Sequence, residues 1–342
     1  NGHVRYEIDT KTLQVVSALD KDCDRIFVMP ARPGNDLSLF EDHPSASDAW
    51  DIDEYSLAMP VGKPVVESAE TFSGPVRSGL VATFRLGKSS FRQIISLEID
   101  SKRLDFEIEA DWRENHKLCR VAFPLDIQAD EARFEIQYGT VARPTHDNTK
   151  WQYAQFESCG HRYADLSDRD FGVALLNDSK YGYRAKGSVL SLSLLRAPTD
   201  PDPFADRGHH RFTYALLPHA GDLAHTGEVL AAAAILNQSV ERFEGFSSKT
   251  MAPALPVSIS GESVELAVLK KAEDSDSLVV RLVETRGCRA KAELSTDFGM
   301  AGTATPCLAT ELADTGTPVA LPATLQFRPF EIKTFRIEMG VK

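Results

Sequence analysis

The chain has 342 residues, a formal net charge of −12, and 42% hydrophobic and 26% charged residues, which suits about two or three packed globular domains. The acidic balance repels phosphate backbones and excludes nucleic acid as a natural partner. No run nears the ~18 uninterrupted apolar residues of a membrane-crossing helix, whereas neutral sugars and small molecules stay open as ligands.

The chain starts directly in alternation: Val4, Tyr6 and Ile8 against Arg5, Glu7 and Asp9. There is no apolar leader core, so no signal peptide is expected at this end. Strand side chains point to opposite faces in turn, so such a pattern buries one face and wets the other. Residues 95–99 and 104–112 repeat the pattern, with Asp100-Ser101-Lys102 as the hairpin turn between them. Val121 to Ile127, Phe134 to Tyr138, the leucines 190, 192 and 194, and Phe212, Tyr214 and Leu216 continue it. The expected fold class is all-β, with antiparallel sheets packed face to face.

Residues 221–243 break the pattern. Their Leu-Ala-Ala-Ala-Ala-Ile-Leu run, 230–236, is rich in helix formers. One helical connection is expected, capped by Asp222, with Leu223, Leu230, Ala234 and Val240 on one face. Beyond residue 250 the alternation returns in shorter strands, with 270–276 as a charged hairpin loop and Pro306, Pro318 and Pro322 at turns or edges. This predicts a second, smaller β-sandwich. The expected divisions are 1–220, 221–245 and 246–342. Cys23, Cys119, Cys159, Cys288 and Cys307 are odd in number and form no C-x-x-C, so buried reduced thiols in a cytosolic protein are expected.

Three segments are too polar for strand. Residues 34–55 hold Asp36, Glu41, Asp42, Asp48, Asp51, Asp53 and Glu54 around Trp50. Carboxylates accept hydrogen bonds from sugar hydroxyls, and an aromatic face stacks on a pyranose. The same composition also describes a solvated acidic loop anchored by one Trp; its spacing does not fit an EF-hand. Residues 142–157 gather Arg143, His146, Asp147, Trp151 and Tyr153, as a sugar-pocket wall or as a loop packing its aromatics. Residues 195–214 place Arg196, Asp206, Arg207, His209 and His210 on a connection stiffened by Pro198, Pro201 and Pro203. Adjacent strand residues face opposite ways, which argues against His209 and His210 binding one metal ion. No G-x-S-x-G, Walker loop, H-E-x-x-H or G-x-G-x-x-G before a helix appears. No carboxylate pair stands out as the two that a retaining glycosidase holds about 5–5.5 Å apart.

In order, these motifs resemble the C-terminal region of glycoside hydrolase family 38, in its cytosolic and vacuolar α-mannosidase branch. Carrying the resemblance are Val4-Arg5-Tyr6-Glu7-Ile8-Asp9, Glu41-Asp42-His43-Pro44, Asp48-Ala49-Trp50-Asp51-Ile52 and Asp111-Trp112-Arg113-Glu114. Arg143-Pro144-Thr145-His146, Gly172-Val173-Ala174-Leu175-Leu176-Asn177-Asp178, Leu195-Arg196-Ala197-Pro198 and Asp206-Arg207-Gly208 follow, with Pro329-Phe330-Glu331 near the end. The resemblance implies a galactose-mutarotase-like β supersandwich followed by a smaller β-sandwich. It also implies retaining hydrolysis of α-linked mannose, in mannosides and oligosaccharides, by the whole enzyme.

In that family the nucleophilic Asp and the zinc ligands lie in N-terminal α/β and helical domains, which have no counterpart among these residues. No catalytic or metal-ligand role is therefore assigned here, and zinc is expected outside this chain. What carries over is the wall of the sugar site: Asp48, Trp50, Asp51, His146, Trp151, Arg196, Asp206 and Arg207. The enzyme's own N-terminal domains are the expected partner, a homo-oligomer stays open, and the compartment implied is cytoplasmic or vacuolar. Two other functions remain: a carbohydrate-binding or assembly module stacking on Trp50 and Trp151, or a mutarotase-like enzyme using His146, His161 or His210 beside a carboxylate.

Overall fold

The computed structural model describes residues 1–238, 256–296 and 302–339. It divides into two compact units, residues 1–135 with 141–238, and residues 136–140 with 239–342. In the first, the strands are β1 (Val4–Ile8), β2 (Val15–Asp20), β3 (Arg25–Val28), β4 (Asp36–Glu41), β5 (Pro60–Gly62) and β6 (Val65–Ser73). They continue as β7 (Arg77–Leu86), β8 (Ser89–Glu98), β9 (Leu104–Trp112), β10 (Lys117–Pro124), β11 (Glu131–Ile136) and β12 (Gly139–Pro144). After the four-residue helix α1 (Lys150–Tyr153) come β13 (Ser158–Cys159), β14 (Tyr163–Ser167), β15 (Phe171–Asn177), β16 (Gly182–Lys186), β17 (Val189–Arg196), β18 (Gly208–Ala220) and helix α2 (Glu228–Asn237).

A nine-stranded sheet runs β12-β11-β14-β15-β18-β9-β8-β7-β6, a six-stranded sheet runs β13-β16-β17-β10-β4-β5, and β1-β2-β3 form a small third. The two large sheets share one apolar core. Along β9, Leu104, Phe106, Ile108, Ala110 and Trp112 turn inward while Asp105, Glu107 and Glu109 turn away, as the alternation predicts. Phe106 stacks on Tyr214 of β18 at 4.9 Å and meets Phe123 of the other sheet at 5.7 Å. Burying an aromatic or Leu side chain here stabilises by roughly 1.5–3 kcal/mol.

Strand β15 is buried along its whole length because α2 covers the side that the core does not. Val229 and Ala233, four residues apart, pack with Leu230 and Leu236 on Tyr163, Leu176 and Leu217. The helix starts later than expected. Its N-cap is Gly227, and Asp222 accepts instead from Ala224 N–H and pairs with His225, closing a turn before it. The fully buried positions are Val229 and Ala233; of the expected face Leu223 and Leu230 pack on the same cluster, Ala234 is half-buried, and Val240 lies outside the described residues. Two short helical turns were absent from the periodicity: the 3-10 turn Glu54–Ala58 and α1, which the Thr149/Gln152 capping box starts.

The second unit holds β19 (Val257–Ser260), β20 (Val264–Lys271), β21 (Leu278–Glu284), β22 (Ala290–Thr296), β23 (Gly302–Cys307), β24 (Val319–Ala320), β25 (Ala323–Phe327) and β26 (Ile332–Met339). They form sheets β19-β22-β25 and β20-β21-β26-β23-β24 around Val280, Leu282, Leu294, Phe335 and Ile337. The charged hairpin loop falls between β20 and β21 as expected. The buried Glu284 carboxylate accepts from the backbone N–H groups of Arg286, Gly287, Cys288 and Phe330. All five cysteines are free; Cys119 and Cys307 are buried, but Cys159 and Cys288 are exposed, against the expectation of buried thiols.

Candidate functional site

Three neighbouring strands of the six-stranded sheet reach one rim. Lys117 pairs with Glu41, and Leu118 pairs with both Phe40 and Arg196, so β4, β10 and β17 begin or end together. In the nine-stranded sheet Gly208 pairs with Trp112, and 113–116 links β9 to β10. The first and third polar segments, which against expectation are strand at 36–41 and 208–214, thus leave the sandwich side by side.

Arg196 ties them together. Its Nε donates to Asp42 Oδ2 at 2.8 Å, and its two Nη groups donate to the carbonyls of Asp51 at 2.7 Å, Asp48 at 3.1 Å and Ala49 at 3.4 Å. A planar guanidinium suits such a fan of acceptors. Asp42 is 1% exposed. Burial pushes its carboxyl up, and the Arg196 hydrogen bond and charge offset only part of that. Asp48 closes the loop from the other side: its Oδ2 accepts from Thr199 N–H at 2.6 Å and Asp200 N–H at 3.2 Å. Burial alone would raise the Asp48 carboxyl, but these amides and nearby His116 hold it below the usual value.

His116 sits at the centre of this rim. Its Nε2 is 2.9 Å from Thr199 Oγ1, its Nδ1 lies 3.6 Å from Asp48 Oδ1, and its ring stacks on His43 at 4.5 Å. His43 meets Glu41 at 3.1 Å, which also takes the Lys117 ammonium at 3.0 Å. Lys117 first, and then His43 after the opposing effect of burial, keep the Glu41 carboxyl low. Asp42 Oδ1, Asp48 Oδ1 and His116 Nδ1 are all buried without a hydrogen-bond partner. Two of these atoms, Asp48 Oδ1 and His116 Nδ1, face each other at 3.6 Å, so the rim gathers polar groups at the end of the sheet.

The second segment joins the same loop. Tyr153 Oη donates to the Glu54 carboxylate, and this bond is the main reason the phenol's pKa is raised. Glu157, where the segment returns to β13, pairs with buried Arg120 and accepts from Ser193 Oγ at 2.9 Å. Between lies a small cavity lined by Glu54, His146, Asp147, Tyr153, Arg184 and Lys186. Burial, and then the charge of Arg120, lower the Arg184 pKa. His146 Nδ1 and Arg143 Nη1 are further buried polar atoms without a partner.

Of the eight residues expected to wall a site, Asp48, Asp51 and Arg196 are joined directly, and Trp50 rides the loop between them, 74% exposed. His146 and Trp151 lie on the adjoining segment, Trp151 84% exposed. Arg207 reaches the rim through Glu114, whose carbonyl accepts from its Nε at 3.3 Å, and its guanidinium lies over Phe204 at 5.4 Å. Asp206 sits in the left-handed region, φ 58°, and its carbonyl contacts His210 Nε2 at 2.6 Å. Asp42, His43, His116 and Thr199 complete the cluster without having been singled out as site residues. Asp42 and His43 stood in the first polar segment and Thr199 in the third, whereas His116 lay in none of the three. Among the described residues none of His146, His161 and His210 is hydrogen-bonded to a carboxylate, and no group of three or more His, Cys, Asp or Glu could hold a metal ion. No step through a metal is derived for these residues.

A family model described as the glycosyl hydrolases family 38 C-terminal domain matches residues 1–204, and one described as the family 38 C-terminal beta sandwich domain matches residues 263–335. The chain is 40% identical over 295 residues to alpha-mannosidase 2C1 of Homo sapiens, covering 84% of this chain and 28% of that protein. It is 36% identical over 342 residues to alpha-mannosidase G of Dictyostelium discoideum, covering 94% and 31%. The chain thus spans about a third of the length of these curated relatives. Among solved structures, an alpha-mannosidase from Enterococcus faecalis V583 superposes with a TM-score of 0.73 over 98% of this chain and 41% of that one, at 15% identity, which shows a shared fold.

Proposed function

The chain belongs to the C-terminal region of glycosyl hydrolase family 38, and we propose on that premise that it is the β portion of a retaining α-mannosidase. In this reading the whole enzyme hydrolyses α-linked mannose in mannosides and oligosaccharides. Its nucleophile and its metal, zinc by the family's pattern, lie outside this chain. These residues contribute a wall of the sugar site and surfaces for the enzyme's own upstream domains. The compartment proposed is cytoplasmic or vacuolar. Residues 1–220 act as the supersandwich, 221–245 as the connection that carries α2, and 246–342 as the terminal sandwich, with 239–255 outside the described residues.

The observation that carries the reading is the convergence of three polar segments on one rim. Arg196 and Asp48 act there as positioning residues, since their polar groups are engaged with the loop itself. Trp50 and Trp151 offer exposed faces for stacking, while Asp51, His146, Asp206 and Arg207 line the approach. The test is alanine substitution at Arg196, Asp206 and Arg207 in the full-length enzyme. The reading predicts lower kcat/KM on a chromogenic α-mannoside, and unchanged values at all three would overturn the site. The exposure of both tryptophans also favours a second reading, a carbohydrate-binding module. Sugar binding by the chain that is lost in Trp50→Ala and Trp151→Ala, with no loss of activity from those changes in the full-length enzyme, would select it.

A further inference from the structure

The second polar segment is held to the sandwich at both ends. Near its start, buried Thr145 donates from Oγ1 to the Ala129 carbonyl at 2.6 Å and from its N–H to Asp130 O at 2.9 Å. At its end, the Glu157 carboxylate takes the Arg120 guanidinium of β10 and accepts from Ser193 Oγ of β17 at 2.9 Å. Arg120 is itself buried, and its other Nη donates to Ser191 Oγ at 2.9 Å. Its neighbours Cys119 and Val121 belong to the core, so Arg120 lies on the opposite face of the six-stranded sheet. Between the two anchors, residues 146–156 carry His146, α1 and Trp151, and they meet the first segment through Tyr153 and Glu54.

A bulge puts this anchor and the Arg196 clamp on one face. Cys119 pairs with Leu195 but Arg120 pairs with Ser193, so Leu194 is an extra residue in β17. Leu194 and Leu195 both turn into the core. Ser193 and Arg196, three apart, therefore share the outer face, where regular alternation would oppose them. Gly182, opposite Cys159, leaves room for the carboxylate: a Cβ there would lie 2.3 Å from Glu157 Oε1.

We propose that Glu157 is a positioning residue of the sugar site. With Arg120 and Ser193 it seats residues 146–156, and so His146 and Trp151, against the loop that Arg196 holds. This role rests on the reading of the rim as a sugar wall. Unseating the carboxylate leaves Arg120 as a buried charge without its partner, which is costly, so the end of the segment has one favoured place.

Glu157→Gln keeps the shape and removes the charge. Gly182→Ala displaces the carboxylate and changes no charge. In the full-length enzyme each is expected to speed amide hydrogen exchange across 146–156 at least about tenfold, read by mass spectrometry. Each is also expected to raise KM for an α-linked mannose oligosaccharide about fivefold or more and to change kcat less than about twofold, the pattern of lost binding. Glu157→Asp, which keeps the charge, is expected to restore part of both. Loss of folded protein alone lowers kcat and leaves KM in place, so the split separates positioning from stability. Unchanged exchange in both variants would overturn the proposal. Faster exchange with unchanged KM would overturn it too, yet leave the α-mannosidase reading standing, because that reading fails on silent Arg196→Ala, Asp206→Ala and Arg207→Ala.

Discussion

Removing the Arg196 side chain tests whether the loop rim is held as described. Arg196→Ala strips the Nε bond from Asp42 and three Nη bonds from the carbonyls of Asp48, Ala49 and Asp51. Asp42 is 1% exposed, so it keeps a buried carboxylate without its partner. Breaking a buried pair from one side costs about 3–5 kcal/mol. The lower end applies because burial already raises the Asp42 carboxyl, and a proton can neutralise it. A loss of about 3 kcal/mol lowers Tm by roughly 6–12 °C in a domain of this size. A carboxyl whose folded pKa is raised favours folding when protonated. The deficit in Arg196→Ala should therefore shrink as pH falls through the folded Asp42 value and be full above it. Thermal unfolding by circular dichroism across a pH series reads both effects. Asp42→Asn added to Arg196→Ala should recover part of the loss, because an unpaired amide is less costly than an unpaired charge. Arg196→Lys should recover little, because one ammonium cannot replace the fork. An unchanged Tm in Arg196→Ala, or full recovery by lysine, would refute the reasoning.

Three further outcomes follow from particular contacts. Glu284→Ala leaves four backbone amides unpartnered and should cost the second unit about 1–3 kcal/mol or more, read as an earlier chemical unfolding transition. His219 and Asp165 form a buried pair at 2.8 Å. Burial is the largest influence on His219 and lowers its pKa, but the Asp165 hydrogen bond and charge override it, and the net shift is upward. The pair's stabilisation is therefore full below about pH 6.5, the ordinary histidine value, and is lost as pH rises through the raised folded value. Asp165→Asn should flatten that slope in urea midpoints measured against pH. Trp50→Ala and Trp151→Ala remove highly exposed rings, so each should change stability by under about 0.5 kcal/mol. Each should also weaken oligosaccharide binding or raise KM in the full-length enzyme, as titration or kinetics would read.

The strands were legible because burial on one face writes itself as period two. The 104–112 alternation became β9, and Asp100-Ser101-Lys102 fell in its hairpin turn. Helix α2 was legible as a helix but misplaced in its start, and of its packing face Leu223 and Leu230 were expected while Val229 and Ala233 were not, because the residues it packs on, Leu176 and Leu217, come from elsewhere in the chain. The polar segments were visible by composition, yet their convergence was not. Arg196 meets Asp42 across 154 positions, and only the pairing of β4, β10 and β17 brings those positions together. His116 escaped notice because a lone histidine after a strand has no periodic signature. Its place came from the register of Lys117 with Glu41.

The most direct test of the central claim is hydrolysis of a chromogenic α-mannoside, with and without added zinc, by this chain alone and by the longer protein that joins it to an upstream family 38 portion. The account predicts turnover only from the longer protein. Metal-dependent turnover by these 342 residues alone would contradict it.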